Sequence, residues 1–363
     1  SVLRLQRSTK RSHASADFKN AEEIQREDKH QQHEAKHHPR VLQLITPTDR
    51  RSARRFARDG YVCPVDAFST ERTRAWRDRL EAFERAQDQK LTRGHNFKPH
   101  LLFPWVDEIV RSPEVLDAVE DLIGPDIRLF HLSVWPKDAG SGAYVSWHQD
   151  ATYFALEPAC HVTAWVALTD APVEAGCMEV VPGSHKLGQM QHAEMQDPDN
   201  LLSRGQALAV DVDRTRTAFM PVRAGQFSLH HTHLVHNSRP NRSNDRRIGL
   251  GISYIPTHAR CTSATRVTAM LVRGTDKYGH FDDERRPRAE AGALLDREAG
   301  VQHALLVERL ADQVQPQRQA LAVQPGGDGH RGKPCEAGGH REHVVEIHFQ
   351  RIGALFAQRE GGA

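Results

Sequence analysis

The chain has 363 residues, with 49 Lys and Arg against 47 Asp and Glu, giving a formal net charge of +2. That near-balance argues against a strongly basic nucleic-acid binder and against an acidic solvating protein. No apolar run is long enough to span a membrane, and five cysteines without a C-x-x-C pair argue against a disulfide framework or a thiolate zinc site.

Residues 1–42 are rich in charge and His and hold one aromatic, Phe18. The stretch from His30 to His38 cannot bury enough apolar surface to offset its ordering entropy, so 1–42 is expected to be a disordered tail. No charged segment followed by an apolar one opens the chain, which points away from secretion and toward the cytoplasm. The first residue is Ser1 rather than Met, so this start need not be native.

Thr48 to Arg58 reads as a helix, with Gly60 placed to end it. Val62, Pro64, Val65 and Phe68 follow as a short strand or turn. Ser69 can cap a second helix in which Trp76, Leu80 and Phe83 recur at helical spacing. Ser112-Pro113 opens a third, with a stripe of Val115, Leu116, Val119, Leu122 and Ile123, and Gly124-Pro125 stops it.

Beyond residue 126 the period switches to two or to short apolar runs. Candidate strands are 127–135, 144–148, 161–168, 177–181, 206–210, 226–231 and 248–254, separated by Gly-, Pro- and Asn-rich turns. This pattern predicts a mainly β fold with flanking α-helices, a sandwich or double-sheet jelly roll with the helices over one face. Residues 189–205 form a long polar insertion of the kind that acts as an active-site lid. Residues 312–363 read as a low-complexity tail, which leaves 43–311 as the folded domain.

Histidine is abundant, at 23 residues. Among these, His148 and Asp150 are two apart, so on a strand both point to one face. They supply two ligands of a 2-His-1-carboxylate triad, which leaves positions on Fe(II) for a bidentate cosubstrate and O2. A His-x-Asp match is expected about once by chance in this length, and a second one exists at His280-Phe281-Asp282. Only the first lies inside the strand-rich region with a later His and Arg; His280 follows the last clear strand and reads as a surface or lid residue. His185 reads as a turn residue and Trp147 as core.

Several linked motifs resemble the phytanoyl-CoA dioxygenase family of Fe(II)/2-oxoglutarate oxygenases over residues of about 48–290. They are Trp147-His-Gln-Asp-Ala-Thr-Tyr-Phe154, Ala164-Trp-Val-Ala-Leu168, the run from Gly176 to Gly188, and the run from Gly225 to His236 followed by Asn237-Ser238 and Arg246-Arg247. The resemblance implies a double-stranded β-helix holding Fe(II), with 2-oxoglutarate as cosubstrate and O2 as oxidant. It implies His148, Asp150 and His236 as metal ligands, since the family's third ligand lies eleven residues after a strand-opening Gly, here Gly225. His231 matches a non-ligand His of that strand; His230 and His233 read as packing or inter-strand hydrogen bonding.

The same resemblance places Arg247 on the far carboxylate of 2-oxoglutarate, where a planar fork suits a buried carboxylate. Arg246 points to the other strand face and reads as a surface cation. Ser238, Trp165 and Ser133 align with the cosubstrate pocket. Asp150 occupies the position that halogenating relatives leave small, so hydroxylation of a small-molecule metabolite is implied. Lys137, Tyr153 and Phe154 are the candidates for substrate binding. Two alternatives are a non-catalytic jelly-roll binding module, which loss of a ligand would signal, and a cupin-type metalloenzyme not using 2-oxoglutarate, against which Arg247 stands. Composition and motifs leave the oligomeric state and the particular substrate open.

Overall fold

The computed structural model describes residues 50–202, 205–263 and 266–287. Both predicted tails lie outside these residues, as does the whole of the second compact unit, Pro316–Ala363. Among the described residues, five α-helices precede Ile127: α1 (Arg50–Asp59), α2 (Thr70–Ala86), α3 (Arg93–Asn96), α4 (Pro104–Val110) and α5 (Pro113–Ile123). Gly60, at φ 86°, ends α1, and the Ser69 hydroxyl accepts from the Arg72 N–H at the start of α2. The Ser112 hydroxyl does not cap α5; it donates to the Ile109 carbonyl at 2.8 Å.

The strands are β1 (Tyr61–Asp66), β2 (Ile127–Lys137), β3 (Val145–His148), β4 (Leu156–Glu157), β5 (Val162–Ala167), β6 (Met178–Val180), β7 (His192–Glu194) and β8 (Gln206–Leu208). They continue as β9 (Ala218–Met220), β10 (Gln226–His231), β11 (His236–Ser238), β12 (Arg247–Pro256), β13 (Arg260–Cys261), β14 (Thr268–Arg273) and β15 (Asp282–Asp283). A seven-stranded sheet runs β1-β10-β5-β12-β2-β14-β15, and a four-stranded sheet runs β3-β11-β6-β9. Strands distant in sequence pair antiparallel throughout both, apart from the parallel β14–β15 pair. This is the double-sheet jelly roll that the strand pattern predicts. The insertion at 189–205 is not structureless: its β7 pairs with β8 as a separate ribbon.

Strand β12 shows how the sequence sorts itself. Its alternation sends Ile248, Leu250, Ile252 and Tyr254 to one face, where they join Phe56, Trp76, Leu80, Val106, Val115 and Val119 of the helices in the main core. The other face carries Arg247, Gly249, Gly251 and Ser253. Register places Lys137, Trp135, Ser133 and His131 of β2 on one side of them, and Trp165 and Thr163 of β5 on the other. The helix-covered face is therefore apolar, while the opposite face is polar and aromatic although all of β12 is buried. A buried polar face needs partners, and those partners form the site.

Candidate metal centre

Strands β3 and β11 pair so that His148 lies directly across from His236. β3 ends at His148, and Asp150 starts a short 3-10 turn rather than continuing the strand. Gln149 is nevertheless extended (φ −123°, ψ 135°), so the alternation carries one residue further and Asp150 returns to the His148 side. The result is a cluster in which one ligand atom from each of His148, Asp150 and His236 lies within 4.8 Å of the others. The Asp150 Oδ1 atom sits 3.5 Å from His148 Nε2 and 3.6 Å from His236 Nε2.

Both imidazoles are oriented by backbone carbonyls. His148 Nδ1 donates to the Ser146 carbonyl at 2.9 Å, and His236 Nδ1 donates to the Leu234 carbonyl at 2.9 Å. A carbonyl only accepts, so the proton is on Nδ1 and the Nε2 lone pairs face the cluster, as metal ligation requires. Burial, reinforced by the neighbouring His148, holds His236 well below the ordinary histidine range. Asp150 is gripped by its other oxygen, where Oδ2 accepts from Thr163 Oγ1 at 2.8 Å and from His230 Nε2 at 3.1 Å. Burial alone would raise this carboxyl, but the imidazoles around it, His148 first, outweigh burial and hold it well below the usual carboxylate range. The donor set and tautomers therefore suit a divalent transition metal with one open face.

A second feature lies along β12. Arg247 is 3% exposed, its Nη1 donates to the Gly176 carbonyl at 2.5 Å and to Ser238 Oγ at 2.8 Å, and its Nε has no partner. The guanidinium stacks over Trp165, 5.0 Å from the ring centroid. No carboxylate among the described residues pairs with it, and burial pulls its pKa down to about 10. A buried fork whose partners are carbonyls and a hydroxyl fits an anionic ligand such as the far carboxylate of an oxoacid. Gly249 makes room for the stack. An added Cβ would lie 2.0 Å from Trp165 Cζ2. Gly249→Ala is expected to push Trp165 aside at a cost of about 1–3 kcal/mol, read as a lower denaturation midpoint; wild-type stability would contradict this packing.

The other candidates divide. Ser238 bridges Arg247 and Lys137, and Trp165 walls the Arg247 pocket. Ser133 accepts or donates at 2.8 Å to His131 Nε2 and pairs with Phe97. Tyr153 stands edge-on to His148, and Phe154 packs against Phe130, His131 and His161. Lys137, a substrate-binding candidate in the sequence, ends β2, is 1% exposed, and donates to Ser238 beside Arg247. Arg246 corrects the surface reading. It does point away from Arg247, but there it is buried against Glu84, at 2.5 and 2.9 Å, because α2 packs over that face. Trp147 is half-buried and outside the apolar clusters. His280 stacks on Tyr278, away from the cluster.

His230, read in the sequence as packing or inter-strand hydrogen bonding, bonds Asp150 Oδ2, and its ring lies 4.8 Å from that of His236; His231 packs against Phe56 and His185. Two further residues, Thr163 and Gln149, carry no role in the sequence reading. Thr163 is identifiable only through the pairing of β5 with β10. Gln149 is fully buried between the two ligands. Its amide donates to the Gly188 and His233 carbonyls and accepts from Met190 N–H, tying the start of the 189–205 insertion to the ligand turn.

The fold and site together define a jelly-roll protein with a two-histidine, one-carboxylate centre and a buried arginine pocket beside it. The chain belongs to the phytanoyl-CoA dioxygenase (PhyH) family, whose model matches residues 56–249. It is 32% identical over 166 residues to a probable alpha-ketoglutarate-dependent hypophosphite dioxygenase of Stutzerimonas stutzeri, a match covering 44% of this chain and 56% of that protein. A mouse phytanoyl-CoA dioxygenase domain-containing protein 1 is 33% identical over 158 residues, covering 42% of this chain and 53% of that one. The matched region thus spans about half the length of these curated relatives. Among solved structures, the non-heme monooxygenase ThoJ in its apo form is 34% identical with a TM-score of 0.65, covering 74% of this chain and 99% of that one. No helix among the described residues is long and apolar enough to cross a membrane.

Proposed function

We propose that this chain is an Fe(II)- and 2-oxoglutarate-dependent oxygenase that hydroxylates a small-molecule metabolite, releasing succinate and CO2. The observation that carries this reading is the three-ligand cluster lying in the same fold as a buried guanidinium that has no carboxylate partner among the described residues. Relatives named as an alpha-ketoglutarate-dependent dioxygenase and a non-heme monooxygenase support it. Bound at the cluster, iron would supply O2 activation coupled to oxidative decarboxylation of the oxoacid.

The chain's own residues divide the remaining work. His148 and His236 offer neutral Nε2 atoms, and Asp150 offers Oδ1 while Thr163 and His230 hold Oδ2. Arg247 takes the far carboxylate, with Ser238 Oγ holding its Nη1, Trp165 as the wall and Ser133 further along the same sheet face. Tyr153 and Phe154, three and four residues after Asp150, line the substrate side and exclude water. Asp150 fills the carboxylate position, which favours hydroxylation over halide transfer. The oxygenase domain is taken as 43–311, and four free cysteines among the described residues support a cytoplasmic setting.

The test has two parts. Anaerobic addition of Fe(II) and 2-oxoglutarate should give a weak visible charge-transfer band; metal binding without that band would instead identify a cupin-type centre. A metabolite screen should then find a compound that stimulates succinate release. Cosubstrate binding with no stimulation by any compound would favour a binding module.

A further inference from the structure

Lys137 is one of the largest fully buried side chains of the described residues. It pairs with Arg247 across β2 and β12. Its ammonium has three N–H groups and three acceptors: Ser238 Oγ at 2.6 Å, the Ser238 carbonyl at 2.9 Å and the Arg239 carbonyl at 2.5 Å. Those bonds leave it no donor for a ligand. Ser238 Oγ in turn accepts from Arg247 Nη1 at 2.8 Å and donates to the Gly176 carbonyl at 2.8 Å. Two basic side chains therefore converge on one hydroxyl.

Nearby acids are engaged elsewhere. Asp138, the next residue, pairs with Arg246 at 2.9 Å and Lys90 at 3.5 Å, and Glu179 takes Arg239 at 3.0 Å. The charged or titratable groups acting on Lys137 are Arg247 of β12 and Cys177, just before β6. Two buried basic groups side by side, with carbonyls and a hydroxyl for partners, are unfavourable unless an anion joins them.

We propose that Lys137 is a positioning residue for the cosubstrate: from behind Ser238 it supplies a second positive charge to the Arg247 pocket and fixes the Ser238 hydroxyl, without touching the cosubstrate. The inference rests on the oxygenase reading above, and it replaces a role for Lys137 in holding the substrate. Burial, then the Arg247 charge, pull the amine down to about 6, and Cys177 opposes them. A carboxylate in the Arg247 fork would offset both and favour the charged form.

The experiment compares two ligands on the full chain with Fe(II), anaerobically, by titration calorimetry. One is 2-oxoglutarate; the other is 2-oxopentanoate, which keeps the chelating end and the five-carbon chain but carries no distal charge. Lys137→Met is expected to weaken 2-oxoglutarate roughly tenfold or more and 2-oxopentanoate much less, with iron content unchanged. Lys137→Gln, which keeps a donor for Ser238, should show the same selective loss and covers the case in which the Met variant fails to fold. Equal weakening of both ligands would mean that Lys137 only packs the strand end and would overturn the inference, as would unchanged binding of both. If the wild type binds neither ligand, the cosubstrate reading falls first and this inference with it.

Discussion

His236→Ala should strip iron from the protein. The histidine contributes one of three ligand atoms, and its Nε2 is directed at the cluster by the bond from Nδ1 to the Leu234 carbonyl. Alanine removes that ligand and leaves Asp150 and His148 to hold a cation between two close groups. Outer-shell changes at metal sites typically cost 10–100-fold in affinity, so loss of a ligand should exceed about 100-fold. Metal content after dialysis against a mild chelator measures it; unchanged occupancy would remove His236 from the site. Thr163→Val is the graded companion. It deletes the hydroxyl bond to Asp150 Oδ2 but leaves the ligand atoms, so its loss should fall within the outer-shell range. His280→Ala should leave iron in place, since its ring stacks on Tyr278 rather than facing the cluster. Iron loss in that variant would mean that the wrong His-x-Asp had been chosen.

The contrast between these variants shows what was legible from residue order. The triad could be read because one half is local, His148 to Asp150, and the other carries a family spacing from Gly225. The jelly roll could be read because alternation and turn residues are local too. What holds the triad was not legible. Thr163 and His230 meet Asp150 only because β5 pairs with β10, a register set by packing across the whole sheet. Alternation put His230 and His236 on one face and His231 and His233 on the other, but not which face carries the iron site. Charge was misread for the same reason. Arg246 looks solvated in sequence and Lys137 reads as a substrate-binding candidate, yet both become buried when α2 brings Glu84 over one and β11 brings Ser238 over the other. Helix α4 is short, and its stability comes from the core it joins rather than from a periodic stripe. One signal for the pocket is local: the glycines at 249 and 251, unusual inside a strand, mark close approach by Trp165 and Trp135.

Arg247→Ala should separate cosubstrate binding from metal binding. The guanidinium is buried beside Trp165 with its Nε unpartnered, and a carboxylate placed there would be stranded once the cation is gone. Truncating one member of a buried charge pair costs about 2–5 kcal/mol, which is roughly 30-fold to several thousand-fold in 2-oxoglutarate affinity. Iron should stay, because none of the three ligands touches Arg247. Arg247→Lys should recover only part of the loss, since an ammonium keeps the charge but not the planar fork or the stack on Trp165. Arg246→Ala is the control that makes the result specific. It breaks the buried pair with Glu84 on the opposite face of the strand, so it should lower stability while leaving the cosubstrate affinity of the folded protein near wild type. Equal cosubstrate losses in the two arginine variants would show that the sheet, rather than the charge at 247, sets the affinity. Loss confined to position 247 would tie it to one side chain, one residue away from a cation that the fold uses for stability alone.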